Sequence, residues 1–275
     1  MLNKYLKELR LPTLAKNYVE AADRARRESE TYEQYLLELI EDECSHRNIK
    51  RIERWLKASR ISQQKSMDSF DLKRLPAKSV QQVKILTTGT FVDNAENVLI
   101  FGNPGSGKTH LLCGIGHEII RSGRKVYFTT CSMLVQILLR AKQQLKLTQM
   151  LHKLSKFDAL IIDDIGYVQQ SREEMEVLFT VLAERYERGS VLISSNLPFS
   201  KWESIFKDPM VTATAIDRLV HHSVIVELNV PSYRMDTAKN KVGIKKEVLF
   251  TDKKLSTKKE KRSKKERKAT ATISI

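Results

Sequence analysis

Cysteine is nearly absent: Cys44, Cys113 and Cys131 are all that 275 residues contain, far apart and odd in number. No CxxC pair offers a zinc-type ligand set, and a disulfide framework is not to be expected, which points to a reducing cytoplasm. Long apolar runs are missing as well. No stretch approaches the ~18 residues that a membrane helix needs, and the start, MLNKYLKELRLP, is charged where a signal peptide would be apolar. The chain therefore reads as soluble and intracellular, with no membrane partner. Acidic residues are in deficit, 33 Asp+Glu against 48 Lys+Arg, for a formal charge of +15. Such an imbalance calls for a polyanionic partner, most often nucleic acid. The excess is uneven, because residues 239–268 hold 14 basic and 4 acidic residues.

Three zones separate by pattern. Residues 1–68 contain one proline, Pro12, no glycine and nothing strand-like. Tyr32, Tyr35, Leu36, Leu39 and Ile40 recur at helical spacing, so this zone reads as a small all-helical domain, with Pro12 interrupting an early helix that starts near Leu2. From 69 to 235, short apolar runs alternate with helical stretches: NVLIFG, KVYFTT, ALIIDD, SVLISSN and SVIVEL. Runs that are apolar throughout suit strands buried on both faces of a parallel sheet, which predicts a five-stranded doubly wound α/β sandwich. From 236 to 275 the chain is Lys-rich and is expected to remain disordered.

Residues Gly102, Asn103, Pro104, Gly105, Ser106, Gly107, Lys108 and Thr109 fit G-x-x-x-x-G-K-[ST] in full, between a strand and a helix, and with the adjoining His110 they make up the candidate nucleotide-binding set. The glycines let successive N–H groups converge on phosphate oxygens, and the positive end of the following helix points at the same anion. Lys108 supplies a charge for the β and γ phosphates of ATP, and the Thr109 hydroxyl a ligand for Mg²⁺. A second acidic element should follow, and ALIIDD provides it: Asp163 for the Mg²⁺ side and Asp164 to polarise the attacking water, or else one ligand and one solvated carboxylate. At the end of SVLISSN, Asn196 would orient water near the γ-phosphate, with Ser195 as the alternative.

The order GNPGSGKT, LIIDDIG, LISSN, AIDRL, SYR resembles the DnaC/IstB branch of the AAA+ ATPases. The similarity is close to the IstB-like ATP-binding proteins, helpers of insertion-sequence transposition. It extends into LPTLAKNYVEAA, LLELIEDECSHRNIKRIERWLKAS, RYERGSVLISSNLPFSKWESIF and ATAIDRLVHHS. The resemblance implies a P-loop AAA+ three-layer sandwich in a bacterial cytoplasm, a homo-oligomer with ATP at its seams, and a transposase as partner. It implies that Arg218 reaches a neighbour's γ-phosphate and that Arg234 acts as a second phosphate sensor. From the residues alone, both arginines read as ion-pair or helix-end cations. Arg185 and Arg188, in RYERGS, are lesser candidates for contacts between subunits.

Arg47, Lys50, Arg51 and Arg54 follow one another at i, i+3, i+4 and i+7. They present a row of cations that could track the backbone of duplex DNA without reading sequence. The bland alternative is a solvated helix face. Ile49, Ile52 and Leu56 lie on another face suited to packing, with Trp55 near its edge. The tail at 253–268 would hold DNA electrostatically or serve solubility alone. His221 and His222 read as structural, on the premise that neighbours on a strand point to opposite faces. Two rival functions remain open: a helicase loader resembling DnaC, and a nucleotide-switched DNA-binding module with negligible turnover.

Overall fold

The computed structural model describes residues 1–166, 171–198, 201–202, 209–233 and 235. Arg234 and the basic tail lie outside the described residues. The chain opens with α1 (Leu2–Glu8), α2 (Pro12–Glu28) and α3 (Tyr32–Ser59). Pro12 does break the early helix, by standing at the first position of the next, where its missing N–H costs nothing. A capping box between Thr31 and Gln34 starts α3, and Ser29 in left-handed conformation ends α2, so the two pack as a hairpin.

This hairpin has an unusual cap. No side chain of its own bonds the first turn of α2. Instead Glu43 of α3, buried between the helices, accepts the amides of Thr13 (2.8 Å) and Leu14 (3.0 Å) and the Arg47 Nε (2.8 Å). Burial pushes its carboxyl pKa up, but the Leu14 amide, Arg47 and the Thr13 amide outweigh that, and the net shift is downward. A carboxylate with a lowered folded pKa stabilises above the ordinary carboxylate range, and this contribution is lost as pH falls through the lowered value. Glu43→Gln should cost about 1–2 kcal/mol at neutral pH. The native chain should lose more thermal stability than the variant between about pH 6 and about pH 3. Equal losses in thermal melts would show that the cap contributes nothing.

Of the apolar stripe on α3, Leu39 is buried, while Tyr32, Leu36 and Ile40 are exposed. A two-helix hairpin has one seam, and a stripe wider than the seam stays in solvent. Further along, Ile52, Trp55 and Leu56 pack against the core of the following sheet, and Ile61 is part of that core. Ile49, one turn earlier on the same side of α3, lies beyond this packing and stays exposed. Trp55 lies under two cations, the Arg51 guanidinium at 5.2 Å and the Lys125 ammonium at 5.8 Å from its ring. The packing is thus continuous across residue 68.

After α4 (Ala77–Thr87) and the short α5 (Thr90–Asp93), the sheet is built from β1 (Asn97–Gly102), β2 (Val126–Thr130), β3 (Ala159–Ile165), β4 (Ser190–Ser195) and β5 (Ser223–Leu228). All pairings are parallel, in the order β2-β3-β4-β1-β5. The connecting helices are α6 (Lys108–Arg121), α7 (Cys131–Gln143), α8 (Leu147–Ser155), α9 (Arg172–Arg185) and α10 (Pro209–His221). Strand side chains alternate between two cores. Val98, Ile100, Ile161 and Leu192 face α6, α4 and the end of α3, whereas Leu99, Leu160, Ile162 and Ile193 face α7 to α10. The result is a three-layer sandwich, as the strand pattern predicts. The two edge strands are less buried: β2 has half-buried residues, and β5 leaves Ile225 and Glu227 exposed. Among the described residues no helix is long and apolar enough to cross a membrane.

Candidate nucleotide site and basic face

β1 ends at Gly102 and α6 begins at Lys108, so the glycine-rich loop sits at the carboxyl edge of the sheet, between β4 and β5. Ligands of open α/β sheets bind at such an edge. Gly105 and Gly107 have φ of +82° and +100°, which a side chain would strain. Gly107 caps α6 without a side-chain bond, leaving the first-turn amides of the helix free of a side-chain cap. Lys108 is buried, and its Nζ donates to the carbonyls of Gly102 (2.7 Å) and Asn103 (3.1 Å), lying along the loop it belongs to.

The Thr109 hydroxyl donates to Asp163 Oδ1 at 3.1 Å, and the Ser194 hydroxyl to the same oxygen at 2.6 Å. Ser194 Oγ also accepts the Asp164 amide at 2.8 Å. The ladder between β3 and β4 shifts register here, and Asp164 takes φ +67°. This bulge separates the two carboxylates. Asp163 is turned inward against Thr109, and Asp164 is exposed. Sequence reasoning missed Ser194, because a serine within a buried strand carries no mark until the register puts it opposite Asp163. Of the two candidates in that turn, Ser195 is spent on the carbonyls of Ile165 and Leu197. Asn196 keeps a buried Oδ1 without a hydrogen-bond partner, as Ser106 does its Oγ. Orphaned polar atoms at these two positions fit a site that receives a polar ligand. The Thr109 and Asp163 oxygens are a hard-cation donor set, which suits Mg²⁺.

The ring of His110, the last residue of the candidate nucleotide-binding set, meets the segment that precedes α4. Its Nε2 meets Ser69 Oγ and the Ser66 carbonyl, each at 3.0 Å, and Phe70 packs edge-on to its ring. It holds the segment between α3 and α4 across the start of α6. The Phe70 ring lies beside Gly107, where an added Cβ would be 3.1 Å away. From the other side the chain after β5 closes in. The Tyr233 amide donates to the Gly105 carbonyl (3.0 Å), and Ser232 occupies the space a Cβ on Gly105 would need. Cys113, one turn on, is inert, because burial pushes its thiol up to about 11.

Arg218 is exposed on α10, with its guanidinium 5.9 Å from the centre of the Tyr186 ring. It sits at the opposite edge of the sheet from the loop. The next residue, Leu219, gives its carbonyl to the side chain of Asn97, which begins β1. Six strand residues, about 17 Å, lie between that point and Gly102. Arg188 is exposed and paired with Glu184. Arg185 is not a surface residue, contrary to expectation: it is 4% exposed, and its guanidinium bonds main-chain carbonyls at the ends of α8, β3 and β4.

On the helical hairpin, Arg47, Lys50, Arg51 and Arg54 do share a surface. They line an open groove of about 800 Å³ with Arg10, whose turn between α1 and α2 faces them. Arg47 is also tied to Glu43 and the Arg10 carbonyl, and Arg51 to Asn48. Arg10 could not have been found by helical spacing, since it comes from another element.

The family model of IstB-like ATP binding proteins matches residues 4–241. An insertion-sequence ATP-binding protein of Sinorhizobium fredii is 41% identical over 234 residues, covering 85% of this chain and 78% of the relative. The IS21 ATP-binding protein of Pseudomonas aeruginosa is 32% identical over 243 residues, covering 88% and 91%. Among solved structures, the DnaC helicase loader gives a TM-score of 0.52 at 16% identity, over 63% of this chain and 98% of that one. AMPPCP-bound DnaA from Aquifex aeolicus gives 0.53 at 17% identity, over 67% and 56%. At such identities the two structures speak for the fold alone, a P-loop AAA+ sandwich. Phosphate loop, acidic strand end and the family match over residues 4–241 converge, and the chain belongs to the IstB-like ATP binding protein family.

Proposed function

We propose that this protein is an ATPase that assembles on duplex target DNA and stimulates a partner transposase in insertion-sequence transposition. The observation that carries the reading is the cluster of Thr109, Asp163 and Ser194 at the mouth of the phosphate loop. It gathers oxygen ligands where a triphosphate held by the loop amides would present its terminal phosphates. Mg²⁺, held there by Thr109 and Asp163, would neutralise charge on the transferred phosphoryl group. Lys108 leaves its loop carbonyls for the phosphates. Asp164, which is exposed, and Asn196, with its unpaired oxygen, would orient water. Arg218 of one copy completes the site of the next. Arg234 would act as a second sensor of the phosphates. The chemistry is water attacking the γ-phosphoryl group, with positioning and electrostatics doing the catalysis.

The groove of Arg10, Arg47, Lys50, Arg51 and Arg54 would follow a DNA backbone, with affinity falling steeply in salt. The test is ATP turnover with and without duplex DNA, beside a pull-down. Lys108→Ala should lower turnover by at least ~10²-fold. Captured transposase supports the reading, whereas a captured hexameric helicase makes the protein a loader. Turnover that is negligible in the native chain, with or without DNA, would leave a nucleotide switch.

A further inference from the structure

We propose that Glu187, His221 and His222 form a binding site for a zinc-type divalent cation, at the edge of the sheet away from the nucleotide loop. The two histidines are not strand neighbours. His221 ends α10 and β5 begins only at Ser223, so His222 lies in the turn between them. The backbone reverses there and turns both rings to one side, with centroids 4.0 Å apart and planes at 66°. Glu187 comes from the turn between α9 and β4, where it takes φ +57°.

The two turns are brought together by topology and held by one residue. β4 and β5 flank β1, and Asn97 at the start of β1 ties both lead-ins. Its amide donates to the His222 carbonyl at 2.7 Å and its Nδ2 to the Leu219 carbonyl at 3.2 Å. Its Oδ1 accepts the Val191 amide at 2.9 Å. Asn97 is buried, so the frame is rigid although the cluster it carries is exposed.

One donor atom from each of the three side chains lies within 4.8 Å of the others, and His222 Nε2 is 3.9 Å from Glu187 Oε1. Ligands at ~2.0–2.2 Å from a tetrahedral zinc stand about 3.4 Å apart, so small side-chain rotations complete the set. Two imidazoles and one carboxylate make a three-ligand set with a fourth position open to water. An outer partner is also in place: Tyr186 Oη lies 3.2 Å from His221 Nδ1. With Nδ1–H donated to that oxygen, Nε2 keeps its lone pair for the metal, the arrangement that orients metal-bound histidines. Tyr186 is also the ring beside Arg218.

Untagged full-length protein, stripped with EDTA, should bind one Zn²⁺ per chain by isothermal titration calorimetry. With Co²⁺ it should give the intense visible bands of a tetrahedral site. Replacing both histidines by alanine should weaken Zn²⁺ at least ~10²-fold, and Tyr186→Phe by about 10-fold. Glu187→Gln, which keeps shape, should weaken it as well. Thermal melts without metal should coincide for all variants, since Glu187 and both histidines are exposed and Tyr186→Phe keeps the half-buried ring. No Zn²⁺ binding by the native chain, an octahedral Co²⁺ spectrum, or affinity unchanged in the double-histidine variant would each overturn the site.

Discussion

Mixing Arg218→Ala protein with Lys108→Ala protein should restore ATP turnover that neither has alone. Arg218 stands at the strand-start edge, about 17 Å of β1 away from the loop that carries Lys108. No arginine side chain spans that distance, so within one chain the two cannot meet at a phosphate. Across the proposed head-to-tail seam they could, since one copy would present its loop edge and the next its α10 edge. Arg218→Ala alone should lose about 10³-fold or more in turnover, the range for an arginine donated in trans. Lys108→Ala alone should lose at least ~10²-fold through loss of phosphate contacts. In a random equal mixture about one seam in four pairs an intact Lys108 with an intact Arg218, and recovers accordingly. Turnover in the mixture that stays at the level of the single variants would place Arg218 outside the site, as would an Arg218→Ala chain with native turnover.

Arg185→Ala should unfold the ATPase core more readily than any change among the surface cations. The Arg185 guanidinium donates to Leu154 and Phe157 carbonyls from Nη1, and to Phe157, Asp158 and Ser190 carbonyls from Nη2, at 2.9–3.1 Å. It joins the end of α8, the entry to β3 and the entry to β4. Among the described residues no carboxylate pairs with it directly. Burial pushes its pKa down to about 10, opposed by the charge of Asp158, so at neutral pH it remains a buried cation solvated by carbonyls. Truncation takes those donors away and leaves a void. The expected cost is about 3–5 kcal/mol, a large part of an ordinary domain's stability. Arg185→Lys should recover only part of it, since one ammonium cannot span the fork that the guanidinium fills. Urea unfolding measures this. A change within about 0.5 kcal/mol would mean the carbonyls are satisfied without it.

The two arginines of RYERGS show where sequence reading stops. Arg185 and Arg188 are three residues apart on equally polar ground, and nothing local distinguishes them. Their fates are decided by carbonyls 27 to 31 residues upstream and at Ser190, which reach Arg185 and not Arg188. His221 and His222 went the same way: one residue in the boundary between α10 and β5 turned a supposed strand pair into two rings on one side. His110 was legible as part of the motif, but the segment that occupies its ring comes from 44 residues earlier.

What the sequence determined by itself was whatever is written in contiguous residues. The five strands were legible to within about a residue, because burial on both faces demands uninterrupted apolar runs. The phosphate loop was legible because its geometry depends on glycines at fixed offsets. The tertiary structure alone decided which polar groups meet. Ser194 comes to Asp163 through the register of β3 and β4, Glu43 to the start of α2 through the hairpin, and Arg10 to the basic row through the turn after α1. Hydrogen bonds and ion pairs act over about 3 Å between residues that lie 30 or more apart in the chain, as for Thr13 with Glu43, so their partners exist only once packing has chosen the neighbours.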